Sequence, residues 1–100
     1  MSEAEIRIPA VIKSEVLIKV VEKVCKDNGL LCTLKGTLTK YHDCVHWHFR
    51  KDKQPGTLEI TWWEKEHHLW FKVAENRTGI WIDEDLPILK KKIEQELDKI

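Results

Sequence analysis

The spacing of apolar and polar positions changes period twice along the chain. From Ser14 to Gly29, the residues Leu17, Val20, Val21, Val24 and Cys25 recur three and four apart, which predicts an amphipathic helix with a broad apolar stripe. Ser14 is its expected N-cap, Glu15 suits the positive end of the helix dipole, and Gly29 supplies a left-handed stop. The stretch is rich in valine, a poor helix former, so packing of the stripe must hold the helix.

Between Leu30 and Val73 the period becomes two, and four strands are predicted. Cys32, Leu34 and Leu38 share a parity in the first, with Gly36 as a bulge between them. Val45, Trp47 and Phe49 form the apolar row of the second, Leu58, Ile60 and Trp62 that of the third, and Leu69, Phe71 and Val73 that of the fourth. The connections "YHDC", "KDKQPG" and "EKEHH" are short, and short connections join antiparallel neighbours. After "ENRTG", Asp83 or Asp85 is expected to cap a second helix, with Pro87 in its first turn and a stripe of Leu86, Leu89, Ile93, Leu97 and Ile100. Residues 1–10 read as loose, or as a short edge strand around Ile6 and Ile8 that Pro9 ends. The expected fold is a single α+β domain over residues 1–100. It is a two-layer sandwich with the order helix, four-stranded antiparallel meander, helix, and both helices lie on one sheet face.

This parity assigns the other face to a polar and partly aromatic set. His46, His48 and Arg50 project from the second strand, Glu59, Thr61 and Trp63 from the third, and His68, Trp70 and Lys72 from the fourth. Thr33, Lys35 and Thr37 are their expected counterparts on the first strand. Two tryptophans facing water need an explanation, since burying a large apolar side chain is worth roughly 1.5–3 kcal/mol. Trp63 and Trp70 either shield each other across strands, or anchor an interface with a protein partner, a small ligand or a second copy of the chain.

The same face holds a candidate metal site. His46-x-His48 on a strand sets two imidazoles on one side, and the hairpin between the second and third strands brings Glu59 beside His48 or Arg50. The competing reading of that row is an ordinary cross-strand pair of Glu59 with His48 or Arg50. Cys44, flanked by His42 and His46, has the makings of an activated thiol, but a small buried cysteine is the commoner fate of such a residue. Arg77, at the tip of "NRTGIW", is suited to gripping a carboxylate or phosphate. Its structural alternative is an ion pair with Asp83 or Glu84, with Trp81 plugging the end of the sheet.

Bulk composition narrows the choice. The chain of 100 residues carries 17 Lys plus Arg against 17 Asp plus Glu, so it lacks the cationic excess that drives phosphate-backbone binding, and nucleic acid is an unlikely partner. Stacking of bases on the open-face aromatics is kept as a further alternative. The succession of helix, strands and helix is similar in topology to double-stranded-RNA-binding domains. The additional strand, the missing Gly-rich loop before Lys90–Lys92 and the zero net charge set it apart. Three cysteines at long spacings provide neither a disulfide framework nor a thiolate zinc knuckle. No signal peptide or membrane-spanning run is evident, which places the expected location in the cytoplasm. The leading expectation is a non-enzymatic binding or assembly domain without a cofactor, forming a homodimer or meeting a protein partner. Its ligand face is His46, His48, Arg50, Glu59, Trp63, Trp70 and Arg77. The alternative is a divalent-metal protein or small enzyme built on His46, His48 and Glu59.

Overall fold

The computed structural model describes residues 2–100. It contains strands β1 (Ser2–Glu5), β2 (Leu31–Gly36), β3 (Val45–Arg50), β4 (Leu58–Trp63) and β5 (His68–Val73), and helices α1 (Ser14–Asp27) and α2 (Ile80–Asp98). The strands form one antiparallel sheet in the order β1-β5-β4-β3-β2. The fold is α+β as expected, with five strands rather than four. The added edge strand begins before the Ile6–Ile8 stretch that predicted it. Ile6 instead follows the strand, is buried in the core, and donates its amide to the Leu69 carbonyl.

Both helices cover the face built by Trp47, Phe49, Leu58, Ile60, Trp62, Leu69 and Phe71, which are all buried in one cluster with Leu17, Val21, Leu89, Ile93 and Leu97. Burying tryptophan requires a partner for each indole N–H. Trp47 Nε1 donates to Glu22 Oε2 at 2.9 Å, and Trp62 Nε1 to Ser14 Oγ at 2.7 Å. Ser14 itself is not the N-cap expected of it. The cap position is Lys13, which makes no side-chain cap bond, and the Ser14 hydroxyl is spent on the core. Gly29 does end α1, with φ of 80°.

Three further expectations are corrected. The bulge in β2 is at Thr33, because Cys32 faces Phe49 while Leu34 faces His48. Past it the parity inverts. Leu34 joins the histidine face and stays 46% exposed, while Lys35 reaches back to Glu22 on α1 at 2.7 Å. Helix α2 starts at Ile80, ahead of Asp83 and Asp85, so Pro87 lies inside it. An interior proline costs about 3 kcal/mol. The early start buries Trp81 and Ile82, each worth roughly 1.5–3 kcal/mol, and so offsets that cost. Ile100, expected in the stripe, is exposed.

The start of α2 is fixed by close packing of two glycines. Gly56 has φ of 112°, and a Cβ on Gly79 would run into the Pro55 carbonyl oxygen. The Pro55 carbonyl also accepts the Trp81 indole N–H at 3.0 Å, and Thr57 N donates to the Arg77 carbonyl at 2.9 Å. The β3–β4 loop is thereby locked onto the short 3₁₀ turn Glu75–Arg77. No helix among the described residues is long and apolar enough to cross a membrane.

Candidate metal centre

Strand pairing builds the site directly. His46 and His48 leave β3 on the side away from the helices; across the ladder, His48 is opposite Glu59 and His46 is opposite Thr61. The three ligand atoms converge. His46 Nε2 lies 3.0 Å from His48 Nε2 and 3.3 Å from Glu59 Oε1, and His48 Nε2 lies 3.8 Å from the same oxygen. The side chains of His46, Glu59 and His48 are only 4%, 13% and 19% exposed, so water screens the triangle poorly.

These spacings match a metal-ligand triangle. Bonds near 2.0–2.1 Å in a tetrahedral site set ligand atoms about 3.3 Å apart. Among the described residues, this trio is the group whose His, Cys, Asp or Glu ligand atoms approach closely enough to hold an ion.

The surroundings orient two of the ligands. Thr61, itself buried, has its Oγ1 2.8 Å from His46 Nδ1. When Nδ1 carries the ring proton, Thr61 accepts it and Nε2 keeps its lone pair for the triangle. Burial is the largest influence on His46 and holds its pKa below the ordinary histidine value, with Glu59 pulling the other way and His48 and Lys72 reinforcing the fall. A neutral imidazole is the form that ligates a metal. On the other ring, Arg77 Nη1 lies 3.5 Å from His48 Nδ1. A guanidinium only donates, so this contact and the closer approach of the two Nε2 atoms at 3.0 Å are both met with the His48 proton on Nε2, aimed at His46. In that state one proton lies between the two imidazoles and none lies toward Glu59. Arg77 thus faces His48, and not Asp83 or Glu84 as its structural alternative had it.

The triangle forms the floor of a cleft of about 630 Å³, walled by Leu34, Leu38, Ala74, Asn76 and Arg77. A second depression of about 510 Å³ shares His48, Asn76 and Arg77 and adds Thr33, Arg50 and Thr57. Arg50 stands there exposed, with Nη2 3.4 Å from the Gln54 carbonyl. A smaller groove of about 250 Å³ between α1 and α2 is lined by charges paired among themselves, such as Lys23 with Asp27 and Lys99 with Glu96.

Trp63 and Trp70 occupy the far half of the same face, under the β2–β3 connection. The Tyr41 ring centroid is 4.9 Å from Trp63 and 5.3 Å from Trp70, and Trp63 Nε1 donates to the His42 carbonyl at 3.1 Å. His68 stacks on Trp70 at 4.1 Å. Cys44 is buried and accepts the Leu38 amide at 3.3 Å, while His42 is exposed beside Asp43. Cys25 is buried in the core, and burial pushes its thiol up to about 12.

Sequence reasoning missed three residues here: Thr61 as the orienting partner of His46, Leu34 as a cleft wall, and Tyr41 as the aromatic cover. The signal for Thr61 was present, because it shares a face with Glu59. Leu34 depends on a bulge and Tyr41 on a loop path, neither of which spacing reveals. Comparison with protein-family models, with curated proteins and with solved structures found no match.

Proposed function

We propose that this protein binds one divalent transition-metal ion, zinc by preference, through His46 Nε2, His48 Nε2 and Glu59 Oε1. The observation that carries the proposal is the triangle of 3.0, 3.3 and 3.8 Å among those atoms, in a shielded pocket with one imidazole already oriented by Thr61. Two imidazoles and one carboxylate suit zinc better than calcium or magnesium, which prefer all-oxygen shells. Three protein ligands leave a fourth position, directed into the cleft, for water or a small ligand.

The assembly reading through Trp63 and Trp70 has less support, because Tyr41 lies against both rings and takes up the surface that a partner would need.

The test is metal content and affinity. Protein purified without a histidine tag should bind close to one Zn²⁺ per chain, by elemental analysis and calorimetry. His46→Ala, His48→Ala and Glu59→Gln should each weaken binding by at least about tenfold, since the first two remove a ligand and the third replaces a carboxylate by a neutral amide. Unchanged affinity in all three variants would sink the assignment.

A further inference from the structure

We infer that the metal, once bound, recruits an oxyanion, the carboxylate or phosphate group of a small ligand, and that Arg77 grips it. This inference rests on the metal reading of the same cleft and adds the chemical class of the ligand.

Charge is the first argument. A dication meets one negative charge from its ligands, that of Glu59. Arg77 adds a further positive charge one imidazole ring away from the ion. Lys72 is beside Glu59 in the β4–β5 ladder, but it also faces Glu3 on β1, so it is partly balanced already. The loaded cleft therefore carries uncompensated positive charge, centred on three poorly exposed ligands with the exposed Arg77 at their edge. A negative fourth ligand removes the excess.

Tautomer chemistry is the second. Without metal, Arg77 donates to His48 Nδ1 and the ring proton is on Nε2. A metal ion bonded to Nε2 requires that position to be bare. The ring remains neutral, and its proton passes through solvent from Nε2 to Nδ1. Nδ1–H then faces the guanidinium, donor against donor, and the contact is lost. That contact is 3.5 Å long, at the outer edge of hydrogen bonding, so releasing it costs little. Metal binding thus frees an arginine fork beside the ion's open position. Arginine pairs carboxylate or phosphate oxygens two at a time.

Position is the third. The Arg77 backbone is held at both ends, its amide on the Ala74 carbonyl at 2.9 Å and its carbonyl on the Thr57 amide at 2.9 Å. The side chain can swing from His48 into the cleft without moving the turn. Asn76 lines the same wall and adds an amide donor.

The experiment uses tag-free full-length protein loaded with Co²⁺, whose visible spectrum reports its coordination. Inorganic phosphate and, separately, acetate are titrated at constant ionic strength into the wild type, Arg77→Ala, Arg77→Lys and Lys92→Ala. The wild type should show a saturable spectral change. Arg77→Ala should need roughly ten- to a hundredfold more anion, as expected for losing a charge-assisted pair. Arg77→Lys should recover part of the loss, and Lys92→Ala, a charge removed from the helical side, should behave as wild type. Tighter phosphate than acetate identifies a phosphoryl ligand, and the reverse a carboxylate. Arg77→Ala should bind Co²⁺ no more weakly than wild type. If Co²⁺ binds one per chain but neither anion moves its spectrum, or if Arg77→Ala responds like wild type, the oxyanion inference is overturned and the metal reading survives. If Co²⁺ does not bind, both fall together.

Discussion

His46 meets three demands at once: it is buried, it faces a carboxylate, and it has a hydroxyl behind it. Burial favours the neutral ring, Glu59 sets a carboxylate beside it, and Thr61 accepts from Nδ1 when the ring proton is there. On the metal reading, Thr61 would not touch the ion and would act by positioning His46. Thr61→Val keeps the shape and removes the acceptor. Zn²⁺ affinity in that variant should fall by roughly ten- to a hundredfold, the usual effect of losing an outer-shell partner, with circular dichroism unchanged. Competition against a chromophoric chelator measures it. Affinity equal to wild type would mean that packing alone orients the ring. At this level the histidine pair and Glu59 were legible, because period two and one hairpin suffice to juxtapose them. Arg77 was legible as a residue displayed at a turn, but its neighbour His48 was not.

Among the elements, β3, β4 and β5 follow their apolar alternation throughout, and every one of their rows faces where parity predicts. β2 does not. It is an edge strand, exposed along its whole length, so no core contact enforces its alternation and a bulge is cheap. The start of α2 was misread for a different reason. Pro87 signals a first turn locally, yet the burial of Trp81 and Ile82 outweighs that signal. The glycine pair at positions 56 and 79 sets where the helix begins and hence where Arg77 stands. Gly79→Ala forces the Pro55 carbonyl away. It should cost about 1–3 kcal/mol, the range for overpacking, read as a lower urea midpoint at constant m-value. A midpoint equal to wild type would show that the loop yields freely and does not hold Arg77.

For the whole molecule, the sheet divides the work between its faces. The helical side closes an apolar core, and the radius of gyration of 12.7 Å is close to the ~13 Å usual for a compact chain of this length. That core needs no ion. Metal removal should therefore lower stability without unfolding the protein, unlike a zinc finger. At a hundredfold excess over Kd, binding adds about 2.7 kcal/mol, which raises the melting temperature by upwards of roughly 10 °C. EDTA should reverse the rise, and calorimetric scans with and without Zn²⁺ measure it. A metal-independent melting temperature would argue against binding to the native state.

Residue spacing alone determined the two-layer architecture, the inward rows of three strands and the common face of His46, His48 and Glu59, because each follows from a period of two or of three to four and from one short turn; their convergence within 3.0–3.8 Å was decided by the tertiary structure. Contacts between segments distant in the chain decided the rest: the edge strand at Ser2–Glu5, the bulge at Thr33, Tyr41 over the tryptophans, and Arg77 against His48. Each of these turns on competition for buried partners and space across the fold, and local periodicity carries no record of that competition.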